Sequence, residues 1–110
     1  MKGKVIVPAF SFLFGSIRGM ALWPFVLIMD DRLLRNKTLI NHEQIHIRQQ
    51  TEMLVIPFYL VYLFNYLINR FRFNGHYEAY RNIIFEKEAK ENERDLNYLE
   101  RRKFWAWVKY

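Results

Sequence analysis

Residues 42–46 read His42-Glu43-Gln44-Ile45-His46 and bring two of the chain's three histidines into one five-residue window. On a helix, positions i and i+4 leave the same face one turn apart, so both imidazoles would point one way. Two neutral imidazoles at that separation can hold a single Zn²⁺. Glu43, next to the first histidine, would reach a water at such a metal and serve as its general base. The chemistry implied is hydrolysis by an activated water, and it calls for a third protein ligand.

The surroundings suit a helix. Leu39-Ile40 precede the motif, and Ile45 and Ile47 place apolar residues around it. Arg48-Gln49-Gln50-Thr51-Glu52 then continue with no Gly or Pro before Pro57. The bland alternative is an accidental pattern on a solvated helix face, which average residue usage makes uncommon in a chain this short. The chain contains no cysteine, so disulfides and thiolate metal sites are excluded, and His and carboxylate side chains are the remaining ligand set.

A length of 110 residues accommodates one core, and a single domain over residues 1–110 is expected. Ten Phe, seven Tyr, three Trp and a formal charge of +6 would suit a nucleic-acid binder. The distribution argues otherwise: Lys and Arg are spread along the chain, and Glu86, Glu88, Glu91, Glu93 and Asp95 dilute them in the second half. No RNP, KH or zinc-finger pattern occurs, so no nucleic-acid partner is expected. Attraction to an anionic membrane surface suits the charge better.

Two apolar stretches must position the motif. The first, Val5 to Met29, follows a basic start at Lys2 and Lys4. Arg18 interrupts it and no small-x-small site follows, so it reads as part of the folded domain, with no cleaved signal peptide and a cytoplasmic or membrane-associated location. Its second half, Ala21–Met29, reads as a strand that Pro24 demotes to an edge, before a turn at Asp30-Asp31. Such an edge could pair with an extended peptide. The second stretch, Met53 to Ile68, is apolar all round, falls short of a simple span and is closed by Arg70 and Arg72. It reads as a core helix that also touches a membrane. Asn74-Gly75 marks a turn, and His76–Arg102, free of Gly and Pro, reads as one long helix. An aromatic and basic tail, Lys103 to Tyr110, closes the chain.

The third ligand is the open question. The metzincin arrangement fails, because its glycine and third histidine are replaced by Gln49 and Glu52. His76 is available but has no motif around it, and a surface histidine paired with a tyrosine describes it as well. Phe85-Glu86-Lys87-Glu88-Ala89 offers an E-x-E-A arrangement instead. At this point the chain resembles the gluzincins, in which a glutamate on a following helix completes the HExxH site. Within them it is similar to the CAAX-prenyl protease and HtpX-type peptidases, and in size to the single-domain minigluzincins. The resemblance covers about Ala21 to Glu93 and rests on short motifs. It implies that His42, His46 and Glu86 hold zinc, that Glu43 is the catalytic base, and that Ala89 lets two helices approach. Lys90 stands where those families carry Asp, and Asn82 and Glu93 are candidates to take over its supporting role. Glu88 stays open as an alternative ligand. Tyr77, Tyr80, Arg81 and His76 are candidates to stabilise an oxyanion.

The resulting expectation is a mostly helical α+β chain with a minimal zincin-like fold. It comprises a short antiparallel sheet, an HExxH helix and a glutamate-bearing helix. The expected activity is zinc-dependent hydrolysis of a peptide or protein substrate. Two other readings remain: a zinc-binding protein without catalysis, and a small membrane-associated interaction protein.

Overall fold

Asn36 accepts the Leu39 amide on its side-chain oxygen at 3.0 Å and so opens the first long helix, α1, Lys37–Met53. In a computed structural model describing residues 2–8 and 17–110, α1 is preceded by three short strands and followed by four further helices. The strands are β1 (Lys4–Ile6), β2 (Gly19–Leu22) and β3 (Phe25–Ile28). A single 3₁₀ turn, Asp31–Arg35, links β3 to α1. The helices after α1 are α2 (Val55–Arg72), α3 (Gly75–Arg81), α4 (Ile84–Asn92) and α5 (Tyr98–Arg101), with a last 3₁₀ turn at Ala106–Lys109. The fold is α+β and mostly helical.

The sheet departs from expectation in two respects. It is mixed: β3 pairs parallel with β1 and antiparallel with β2, in the order β1-β3-β2. Nor is Ala21–Met29 one edge strand. Trp23-Pro24 turns the chain, so Gly19–Leu22 forms the edge and Phe25–Ile28 lies at the centre. Proline sits where no ladder donor is needed, and the unbroken apolar run Val26-Leu27-Ile28 is buried as a central strand should be. Residues 9–16 of the first apolar stretch lie outside the described residues.

α1 is enclosed by the rest of the fold. Ile47 packs with Val26, Ile28 and Ala21 of the sheet, and Ile45 with Ala89, Tyr98 and Leu99. Each of the larger aliphatic side chains so enclosed contributes about 1.5–3 kcal/mol of hydrophobic stabilisation. Gln44 extends the helix–sheet contact through both ends of its amide: Oε1 accepts the Gly3 N–H at 2.6 Å and Nε2 donates to the Gly3 carbonyl at 2.9 Å. A Cβ on Gly3 would lie 3.0 Å from Ile47 Cγ1 and from the Pro24 carbonyl, so this close approach needs glycine.

α1 ends where Leu54 takes φ 64°, and α2 leaves at 112° to it. The expected long helix over His76–Arg102 is instead three helices. Ile83 is extended (φ −64°, ψ 132°), and its break is stabilised by the Asn65 side chain, whose Oδ1 accepts the Ile84 amide at 2.8 Å. The C-terminal end of α4 is held by Asn41 of α1, whose Nδ2 donates to the carbonyls of Asn92, Glu93 and Asp95. Tertiary hydrogen bonds at both ends therefore override the helix-favouring composition.

Candidate metal centre

α1 presents His42 and His46 one turn apart, with ring centroids 4.9 Å apart and planes at 79°. α4 faces them with Glu86. Its Oε1 lies 3.2 Å from His42 Nε2 and 3.0 Å from His46 Nε2. One atom from each residue fits within a 4.8 Å cluster, a spacing that could hold a metal ion. Ala89, fully buried one turn beyond Glu86, packs against Ile45 and keeps α4 close to α1.

The other ring nitrogens are engaged. His42 Nδ1 pairs with Glu93 Oε1 at 2.8 Å, and His46 Nδ1 with Gln49 Oε1 at 2.7 Å. Gln49 donates through Nε2 to the Phe85 carbonyl and to Glu88 Oε1, so its Oε1 must be the acceptor and His46 Nδ1 the donor. A neutral His46 then turns its Nε2 lone pair toward the Glu86 carboxylate. Two lone pairs and a carboxylate converging at about 3 Å require a cation between them, either a proton or a metal. The donor set, two imidazoles and one carboxylate with both imidazoles oriented from behind, fits a divalent metal that accepts nitrogen and oxygen ligands.

Electrostatics describe the same cluster. Burial works against a charge on His46, but the Glu86 carboxylate outweighs it and raises the imidazole to about 9. Burial also opposes the charge on Glu86. His46 and the hydrogen bonds from His42, His46 and Tyr62 prevail, and hold it well below the usual carboxylate range. Glu43 is raised, chiefly by burial. It sits beneath the edge strand: a Cβ on Gly19 of β2 would lie 3.4 Å from Glu43 Oε2.

The remaining candidates separate clearly. Glu88 turns away from the histidines and is fully buried with Gln49, Tyr98 and Arg102, and Arg102 also binds Glu52. It belongs to a structural ion pair and lies outside the candidate ligand cluster. His76 is exposed and paired with the Tyr66 hydroxyl at 2.8 Å. Asn82, just past the end of α3, donates back to the Glu78 carbonyl, whereas Glu93 pairs with His42 and is approached by Lys90 Nζ at 3.5 Å. Arg81 pairs with Glu78 and lies over Tyr77, away from the cluster. Tyr80 lies closer, its hydroxyl kept protonated by burial and by the charges of Glu86 and Glu43.

Comparison with protein-family models, with curated proteins and with solved structures found no match to this chain. The residues and their geometry therefore carry the functional argument.

Two contributors were not singled out from sequence. Tyr62 of α2 donates its hydroxyl to Glu86 Oε2 at 2.6 Å, and Gln49 fixes His46. A signal for Tyr62 was present. Phe58, Tyr62, Asn65 and Asn69 fall at i, i+4, i+7 and i+11, a seam of mostly polar residues in an otherwise apolar helix.

Proposed function

We propose that this protein is a zinc-dependent hydrolase of peptide bonds, with His42, His46 and Glu86 as ligands and Glu43 as base. The observation that carries this reading is the convergence of His42 Nε2, His46 Nε2 and Glu86 Oε1 beside a buried, adjoining Glu43. Zinc, when bound there, supplies a Lewis acid for the substrate carbonyl and the attacking water. Glu43 takes the proton from that water as its oxygen bonds to the carbonyl carbon. The same carboxyl then protonates the leaving amine. Burial raises its proton affinity, which suits a base that must later act as an acid. Tyr80, held as a neutral O–H donor, is the candidate that stabilises the oxyanion.

The substrate would pair with β2. Arg18 accepts the Met29 amide at 3.0 Å, and antiparallel pairs alternate in twos, so Gly19 and Ala21 turn their backbone groups away from β3. The Ala21 carbonyl is already taken by Gln50 and Tyr59. Gly19, against Glu43, is then where an extended peptide would pair next to the base.

The deciding experiment measures metal content and cleavage of a broad peptide library by wild type, Glu43→Gln, His46→Ala and Glu86→Ala. Stoichiometric zinc in wild type and Glu43→Gln, its loss in the other two, and cleavage by wild type alone are expected. Full activity in Glu43→Gln would sink the mechanism. Bound zinc with no cleavage of any peptide would favour a zinc-binding protein without catalysis.

A further inference from the structure

α2 is built inside out. Its inner seam, Phe58, Tyr62, Asn65 and Asn69, carries three polar residues, and each has a partner within the protein. Tyr62 holds Glu86, Asn65 holds the Ile84 amide, and Asn69 Nδ2 donates to the Ala79 carbonyl at 3.0 Å. The opposite face carries Ile56, Leu60, Leu63, Phe64, Leu67 and Phe71, all exposed. Asn69 is 1% exposed and Phe71 94%, two residues apart on one helix. A soluble helix turns its apolar stripe inward. The reverse arrangement leaves a contiguous apolar face larger than scattered exposed residues explain, and such a face marks an interaction surface.

The patch does not end with the helix. Trp23 of the β2–β3 turn donates its indole Nε1 to Thr51 in the last turn of α1, and the backbone amide of Trp105 donates to Glu52 beside it. Leu54 between the two helices is exposed, as are Leu22, Trp23 and Phe25 at the β2–β3 turn and Phe104 and Trp105 in the C-terminal tail. Tryptophans with apolar neighbours favour the boundary between water and hydrocarbon. At the far end, Arg70 and Arg72 occupy the last turn of α2.

We propose that this face docks on an anionic lipid bilayer, with α2 lying along its surface. Charge selects lipid over a second copy: two chains of formal charge +6 repel each other, whereas the same charge is drawn to an anionic surface. Length selects the surface over a span. From Ile56 to Phe71 the stripe runs about 22 Å, short of the roughly 30 Å hydrocarbon core. Among the described residues no single helix is long and apolar enough to cross, and α1 and α2 reach that length and composition only as a pair bent by 112°, of which α1 is enclosed by the fold. The metal cluster faces the inner seam of α2, on the other side of the helix from the lipid. The proposal therefore stands apart from the hydrolase reading and is tested without it.

The test is flotation of the full chain with vesicles of phosphatidylcholine, with and without phosphatidylglycerol, followed through a sucrose gradient. Wild type is expected to float with the phosphatidylglycerol vesicles, and at least tenfold less with phosphatidylcholine alone. Leu60→Glu/Leu63→Glu is expected to reduce flotation at least tenfold, and Phe71→Glu to weaken it while leaving the melting temperature unchanged, since that side chain packs against almost nothing. Failure of wild type to float overturns the proposal. So does undiminished flotation of both variants, which would assign binding to another surface. Equal binding to both vesicle types removes the charge argument and overturns the choice of an anionic surface. A dimer seen by light scattering in wild type, abolished by Leu60→Glu/Leu63→Glu and accompanied by no flotation, gives the face to a second copy instead.

Discussion

The Tyr62 hydroxyl donates to Glu86 Oε2 at 2.6 Å, while Oε1 of the same carboxylate faces both histidines. Glu86 is therefore held from behind by α2 while it presents one oxygen to α1. The same division of labour orients His42 through Glu93 and His46 through Gln49. Each of the three candidate ligands has its own supporting partner, contributed by α2, by the end of α4 and by α1 itself.

Removing such a partner should cost metal affinity more than fold. Tyr62→Phe keeps the ring that packs against both Phe58 and Phe85 and deletes only the hydroxyl. Partners of this kind typically contribute 10- to 100-fold in affinity, and a loss of about that size is expected in competition with a chromophoric chelator. The melting temperature of the metal-free variant should change little. Unaltered zinc affinity would show that Glu86 does not need the hydroxyl to present Oε1.

Metal uptake should displace a proton. In the metal-free protein, Glu86 raises His46 to about 9 against the opposing effect of burial, so the imidazole is charged at pH 7. A raised folded value means that this charge adds stability below the unfolded value near 6.5, and the contribution fades as pH climbs toward 9. Zinc requires the neutral ring, so uptake at pH 7 should release roughly one proton from His46, and apparent affinity should rise between pH 7 and 9. Titration calorimetry in two buffers of different ionisation enthalpy counts that proton. Identical heats in the two buffers would contradict a charged His46.

How far the sequence could be read depended on range. His42, Glu43 and His46 were legible because five consecutive residues on one helix fix their own geometry. Glu86 required a guess about which helix would return, and the two-residue choice between Glu86 and Glu88 was decided by α4's rotation, a tertiary matter. Glu88 meets Arg102 fourteen residues on, a pairing that no periodicity announces. The breaks at Ile83 and after Asn92 were hidden for the same reason, since they depend on Asn65 and Asn41 reaching across from other helices. The reading of Ala21–Met29 as one strand failed locally: Pro24 pointed to an edge when the chain was in fact turning there.

Asn41 offers a clean test of that long-range control. Its Nδ2 donates at 2.8 Å to the Glu93 carbonyl, and at 3.0 Å and 3.3 Å to the carbonyls of Asp95 and Asn92, which also accept backbone amides in the turns that follow α4. Asn41→Leu, similar in size but unable to donate, should destabilise the fold by about 1–3 kcal/mol. It should also raise amide exchange at Asp95–Tyr98. Denaturant unfolding and hydrogen exchange check both expectations, and protection of those amides equal to wild type would mean that the turn is held elsewhere.

The buried Glu52–Arg102–Glu88 cluster predicts the shape of the acid transition. Glu88 is fully enclosed, and burial alone would raise its carboxyl. Hydrogen bonds from Arg102, Gln49 and Tyr98 reverse that and lower it from its ordinary 4.5. A carboxyl more acidic in the folded than in the unfolded chain binds fewer protons when folded. Its contribution is therefore present above about pH 4.5 and is lost as pH falls through the lowered folded value. Glu88→Gln leaves the Arg102 guanidinium with Glu52 alone, and breaking a buried pair of this kind costs about 3–5 kcal/mol at neutral pH. The difference between wild type and variant should shrink as pH drops below about 4.5, because the unfolded wild-type chain then takes up a proton that folded Glu88 resists. Urea unfolding of both proteins from pH 7 to pH 3 measures it. A gap that stays constant across that range would show that Glu88 does not titrate with folding and that its ion pair with Arg102 contributes through packing alone.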